Sequence, residues 1–227
     1  MTKTEFDYIA EQYEDMLRQN IGIYGRDTTY YAEHKAIIIS QNTSINPIRI
    51  LEFGCGTGRN IRFLQKYFPE ASIVGYDVSL ESLAIAKRTN PGVQFVSNDK
   101  LEEYANTFDI ILIANVFHHI PAQKQISTMQ IAKSLLRPDG EMFIVEHNPY
   151  NFMTVHAVDT CVFDENAVLI ALNAMKDLIR AAGLEILNQG YTLFFPTSIR
   201  FLQPVERYLA WLPFGAQYFI RAQRKDS

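Results

Sequence analysis

The segment Ile50-Leu51-Glu52-Phe53-Gly54-Cys55-Gly56-Thr57-Gly58 sets the tightest limits on how this chain folds. An apolar run ends in three alternate glycines, and a helical pattern starts directly after them. Glycine tolerates the positive-φ backbone of a tight strand-to-helix turn, and its missing side chain lets a ligand lie against bare main chain. Such a turn belongs at the carboxyl end of a strand in a doubly wound sheet, where ligands gather. A dinucleotide fingerprint, G-x-G-x-x-G, would need a third glycine at position 59, which is Arg59. The pattern present is G-x-G-x-G, with the acid Glu52 two residues before it.

Around this turn the periodicity alternates between strand and helix. Thr4 and Asp7 make a capping-box-like start to a helix carrying Phe6, Ile9, Tyr13 and Leu17, and a second helix is expected over 29–40. Strands are expected at 48–53, 72–76, 93–96, 108–114 and 141–146, and helices after the glycine turn to 68, over 80–88 and over 121–136. Pro138-Asp139-Gly140 reads as the turn before the fifth strand. Asp164 is expected to cap a helix through Val168, Ala171, Met175, Leu178 and Ile179, ended by Gly183. Strands over 185–195 and 216–222 flank a helix at 204–212, and one of these two strands is expected to run antiparallel at the sheet edge. The fold class is therefore α/β: a Rossmann-like, doubly wound, seven-stranded, mostly parallel sheet with helices on both faces and an N-terminal helical cap. A length of 227 residues suits one domain, 1–227, read as a cap (1–47), a core (48–146) and a second half (147–227) with an insert at 196–214.

Charge and cysteine usage narrow the function classes. A net charge of −4 with scattered Lys and Arg argues against gripping phosphate backbones, so no nucleic-acid partner is expected. Cys55 and Cys161 are isolated, not a disulfide framework, which favours a reducing compartment. The start MTKTEFDYIAEQYED has no apolar signal core and too many acids for a transit peptide, and no apolar run approaches the ~20 residues of a membrane span. A cytoplasmic protein without stable membrane insertion is expected.

The glycine turn with its preceding acid resembles motif I of the class I S-adenosylmethionine-dependent methyltransferases, and further motifs follow in order. Asp77, at the end of Ser72–Tyr76, falls on that family's ribose-binding acid; a carboxylate there can accept two hydrogen bonds from a diol. Val78 would pack on the adenine, and Asn98 or Asp99 would bond its amino group. Phe108–Ile120 resembles motif IV, with Asn115 and Val116 facing the cofactor and Asp109 structural at the far end. Leu135–Glu141 resembles the family's L-k-P-G-G turn, with Asp139 in place of the first glycine. Tyr13, with Ala10 and Glu14, matches an A-x-x-Y-D/E helix that lies over the cofactor in relatives. The resemblance covers 48–146, and uncharacterised bacterial methyltransferases of the small-molecule type share the EHNPYN and LPFGAQY segments. It implies S-adenosylmethionine as cofactor and S-adenosylhomocysteine as product, with Tyr13, Glu52, Gly54, Cys55, Gly56, Gly58, Asp77, Val78, Asn98, Asp99, Asn115 and Val116 at the cofactor.

The acceptor half is less legible. Displacement at an activated sulfonium needs proximity, orientation and, for a protonated nucleophile, a base. Candidates are Tyr8, Tyr13, the catalytic pair His118 and His119, and Glu146-His147. A metal is not expected, because adjacent histidines diverge and no carboxylate–His spacing accompanies them. Asn148-Pro149-Tyr150 resembles the loop of amino-methylating nucleic-acid enzymes but follows the wrong strand. Phe194, Phe195, Phe201, Tyr208, Trp211 and Phe214 are expected to wall a pocket for an apolar or aromatic small molecule. The competing readings are a catalytically inactive cofactor-binding sensor or partner subunit and a nicotinamide-dependent oxidoreductase, the latter opposed by Arg59.

Overall fold

A computed structural model describes residues 28–225 apart from 162, 163 and 165. The first expected helix, with Tyr8 and Tyr13, lies outside the described residues. In chain order the elements are α1 (Thr28–Asn42), β1 (Arg49–Phe53), α2 (Ile61–Tyr67), β2 (Ser72–Tyr76), α3 (Leu80–Thr89), β3 (Gln94–Val96) and β4 (Phe108–Ala114). There follow α4 (Ala122–Leu135), β5 (Leu136–His147), α5 (Phe152–Asp159), α6 (Leu172–Ala181), β6 (Leu184–Thr192), α7 (Gln203–Leu209) and β7 (Gln217–Arg224).

The sheet order is β3-β2-β1-β4-β5-β7-β6. β1 to β5 pair in parallel, and β7 is antiparallel to both β5 and β6. Alternate residues of each strand feed two cores. Ile111 and Ile113 pack with Met129 and Ala132 of α4 and Met175 and Ile179 of α6, while Ile110 and Leu112 pack with Ala36 and Ile39 of α1 and Ile61 and Leu64 of α2. Both faces of β4 are thus covered, which is why its sequence, FDIILIA, is a near-continuous apolar run. The chain steps outward from β1 to β3 and then crosses to β4 on the other side of β1. The carboxyl ends of β1 and β4 flank that reversal, the place where such sheets bind ligands.

Three local expectations need correction. The antiparallel strand is β7, and it lies inside the sheet; the edge strand is β6. The chain climbs β6 toward the ligand edge, crosses it through 193–216, and descends in β7, with Thr192 and His147 both beside Gln217. The Pro138-Asp139-Gly140 turn is a bulge inside β5: Leu136 already pairs with Phe108, and pairing resumes at Glu141 with Ile110. Asp164 does not cap a helix. Val168 donates its N–H to the His118 carbonyl (2.8 Å), so the chain is held extended here and α6 starts only at Leu172. Phe152–Asp159, which has no clean apolar stripe, is helical and capped by Asn151 accepting the Thr154 N–H.

Candidate functional site

One cleft of about 760 Å³ opens at the carboxyl ends of β1, β2, β4 and β5. Glu52, Gly54, Cys55, Gly56, Asp77, Val78, Asn98, Asn115, Val116, His118 and His119 all line it. Gly58 and Asp99 do not. Gly58 is a packing glycine: a Cβ there would stand 2.7 Å from Asn90 Nδ2 and 3.1 Å from Ala86 Cβ. Asn98 and Asp99 are both exposed; Asp99 accepts from the Ser97 hydroxyl, whereas Asn98 accepts from the Tyr76 hydroxyl at 3.0 Å and lines the cleft.

The turn after β1 is a set of interlocked backbone bonds. Gly54 and Cys55 both donate N–H to the Tyr76 carbonyl at 2.8 Å, tying the loop to the tip of β2. Asp77 Oδ2 accepts the Gly56 N–H at 2.8 Å and Oδ1 accepts the Ser79 N–H at 2.9 Å, so one carboxylate joins the glycine turn to the start of α3. Gly56 has φ +51°, and a Cβ built on it would meet nothing within 4 Å. Its missing side chain leaves open cleft, where those of Gly54 and Gly58 make room for Val116 and Asn90.

The floor beside this cradle holds two buried ionisable groups. Glu52 is 1% exposed; Oε1 accepts from Asn60 Nδ2, and Oε2 has no partner among the described residues. Burial pushes its carboxyl up to about 8, with the Asn60 bond opposing and the Asp77 charge reinforcing. Lys35 of α1, also buried, donates from Nζ to the Tyr31 carbonyl at 2.8 Å. Its own burial, and then the Arg59 charge, bring the ammonium down to about 7. Thr57 Oγ1 is another buried oxygen without a partner among the described residues. Sequence reasoning missed Lys35, because it sits within the helical run AEHKAIIIS and its burial becomes evident only when α1 packs on the sheet.

Across the cleft, the chain leaving β4 turns sharply. Asn115 has φ +57° and its Oδ1 accepts from Gln217 Nε2 at 3.0 Å. Glu146 Oε1 then accepts the N–H groups of Val116 and Phe117 at 2.8 and 2.7 Å, while Oε2 lies 2.6 Å from His118 Nδ1. Asp164 completes the group, with Oδ1 3.5 Å from His118 Nε2 and 3.3 Å from His119 Nε2. Burial depresses the His118 imidazole, but the Glu146 and Asp164 charges outweigh it and leave it at about 9. The expectation that the two histidines diverge is wrong for this turn: their ring centroids are 4.1 Å apart, each ring drawn toward Asp164. Asp164, expected as a helix cap, is the acid that sequence spacing could not connect to them.

The insert closes one side. Phe194 and Phe195 line the cleft, but Phe201, Tyr208, Trp211 and Phe214 are exposed and do not, contrary to expectation. The reason is Glu206: it turns the inner side of α7 toward the core, where its carboxylate accepts the N–H groups of Leu193, Phe194 and Phe195. Asn148 is fully buried and donates from Nδ2 to the carbonyls of Pro213 and Gly215, so the Asn-Pro-Tyr segment clamps the insert. No helix among the described residues is long and apolar enough to cross a membrane.

Comparison with known proteins agrees with this geometry. A family model described as a methyltransferase domain matches residues 25–189. The chain is 32% identical over 118 residues to malonyl-(acyl-carrier protein) O-methyltransferase of Halalkalibacterium halodurans, covering 48% of this chain and 43% of that one. It is 29% identical over 148 residues to demethylmenaquinone methyltransferase of Thermotoga maritima, covering 64% and 61%. The chain thus spans about half the length of these relatives. In fold it is similar to a SAM-dependent methyltransferase of Thermotoga maritima, described as a possible histamine N-methyltransferase, with TM-score 0.68 at 18% identity over 97% of this chain and all of the other. The chain belongs to the methyltransferase-domain family of S-adenosylmethionine-dependent enzymes.

Proposed function

We propose that this chain transfers the methyl group of S-adenosylmethionine to a small-molecule acceptor by in-line displacement. The observation that carries the reading is the pairing of an open glycine cradle with two buried ionisable groups, Glu52 and Lys35, on one wall, each pushed toward its neutral form by burial until a ligand charge meets it. An amino-acid zwitterion fits such a wall: Glu52 Oε2, buried and without a partner among the described residues, suits an ammonium, and Lys35 suits a carboxylate. Asp77, fixed by two backbone N–H groups, keeps lone pairs for a ribose diol, and Val78 and Asn98 stand beside it for the adenine. Bound there, S-adenosylmethionine supplies an electrophilic methyl group on a sulfonium.

The rest of the chain's work is orientation and proton handling. Asn115 and Val116 hold the wall between the two halves, and Phe194 and Phe195 exclude water from the acceptor side. That apolar side favours an apolar or aromatic acceptor, as with the quinone precursor in the name of the Thermotoga relative. His118, held by Glu146 through Nδ1, is fixed in orientation behind that wall. His119 and Asp164 stand together at the cleft wall, where they act on an acceptor hydroxyl. We read 48–146 as the cofactor half and 147–227 as the acceptor half of one domain, working in the cytoplasm, where the free thiols of Cys55 and Cys161 stay reduced. The test is production of S-adenosylhomocysteine by the purified chain on a cell extract. Activity lost when the extract is dialysed supports a small-molecule acceptor, and activity retained in the macromolecular fraction overturns it.

A further inference from the structure

We infer that His118, His119 and Asp164 form a three-ligand site for one divalent transition-metal ion at the acceptor end of the cleft. Three nitrogen and oxygen atoms, one from each residue, lie within 4.8 Å of one another. The two His–Asp separations, 3.5 and 3.3 Å, are long for hydrogen bonds. They match the edge of a ligand tetrahedron, about 3.3–3.4 Å for metal–ligand bonds of about 2.0–2.1 Å. An ion placed between these atoms would have three protein ligands and an open fourth position.

A second, independent feature is the support behind His118. Glu146 Oε2 lies 2.6 Å from Nδ1, and the same carboxylate is itself pinned by the N–H groups of Val116 and Phe117. A carboxylate on one imidazole nitrogen fixes the tautomer and turns the other nitrogen's lone pair outward, the usual arrangement behind a metal-bound histidine. Here the outward nitrogen is Nε2, the one facing Asp164. Two imidazoles and one carboxylate favour zinc, cobalt, iron or nickel over magnesium or calcium, which prefer all-oxygen sites. All three residues line the cleft, so the open position faces the space where an acceptor would lie. That the fourth ligand is an acceptor oxygen rests on the methyltransferase reading; the cation site itself does not.

Cobalt(II) is the probe, because its visible absorption reports nitrogen ligation and coordination number. Chelator-treated full-length protein is titrated with cobalt(II), alone and in competition with zinc, and S-adenosylhomocysteine binding is measured on the same samples. The expected result is one cobalt per chain with a visible band, displaced by zinc, and binding weakened at least 100-fold in both His119→Ala and Asp164→Ala. Both residues are partly exposed, so these variants are expected to fold, and a thermal melt checks each. Glu146→Gln is expected to weaken binding about 10–100-fold through His118 alone. No stoichiometric band, or equal binding in folded His119→Ala and Asp164→Ala, overturns the site. S-adenosylhomocysteine binding that persists without metal leaves the methyltransferase reading standing when the metal site falls; its loss in all samples removes that reading instead.

Discussion

Replacing the three glycines of the turn one at a time with alanine separates a ligand cradle from a packing turn. All three have positive φ, at +77° for Gly54, +51° for Gly56 and +78° for Gly58, so each alanine carries about 1–2 kcal/mol of backbone strain. Gly58→Ala adds a Cβ 2.7 Å from Asn90 Nδ2 and 3.1 Å from Ala86, and Gly54→Ala one 2.5 Å from Val116 Cγ2. Overpacking of this kind costs about 1–3 kcal/mol more. At roughly 2–4 °C per kcal/mol for a chain of this size, Gly58→Ala is expected to lower the melting temperature by about 4–20 °C. Gly56→Ala meets no protein atom and should lose only the strain, about 2–8 °C. Its Cβ instead enters the cleft, where the same overpacking term falls on the ligand and weakens S-adenosylhomocysteine binding about 10–100-fold. Thermal melts and calorimetry on the three variants read the two effects separately. Gly56→Ala binding as wild type does, with Gly58→Ala folded yet unable to bind, would refute the assignment of Gly56 as the cradle.

Other expectations follow from single contacts. Asp77→Ala removes the acceptor for two backbone N–H groups and for the proposed ribose contact, and should cut S-adenosylhomocysteine affinity by about 100-fold; Glu52→Gln, which keeps shape but cannot ionise against a ligand ammonium, by about 10-fold, both by calorimetry. Glu206→Ala strands the N–H groups of Leu193, Phe194 and Phe195, costing about 1–3 kcal/mol in urea unfolding and raising the acceptor KM with cofactor affinity unchanged. His34 is buried against Thr192, and burial, followed by the Lys35 charge, holds its imidazole at about 3. The unfolded chain binds that proton below about 6.5 and the folded chain does not until about 3, so stability falls as pH drops through this window. The slope from this group is at most about 1.4 kcal/mol per pH unit, and urea unfolding of His34→Gln should be shallower by that much.

The parts of the site that sequence exposed are those whose function is tied to backbone geometry. Glu52, Gly54, Gly56 and Asp77 sit at strand tips, and a strand's end is marked locally by glycine or an acid after an apolar run. Asp164, Lys35 and the convergence of His118 with His119 are of another kind. Asp164 reaches the histidines because the extended chain behind it is anchored by Val168 to the His118 carbonyl, a pairing across 50 residues with no local signature. Lys35 reads as an interruption of an apolar helix until α1 docks. The exposed Phe201, Tyr208, Trp211 and Phe214 show the converse: aromatic composition alone could not say which face of the insert turns inward, a matter settled by the buried Glu206.

The central claim is that this cleft holds an S-adenosyl ligand, and calorimetric titration of the purified chain with S-adenosylmethionine, S-adenosylhomocysteine and NAD in parallel tests it most directly. Saturable one-to-one binding of the two adenosyl compounds, absent for NAD and weakened about 100-fold by Asp77→Ala, is the predicted result. Binding of NAD alone, or adenosyl binding that survives unchanged in Asp77→Ala, would contradict it.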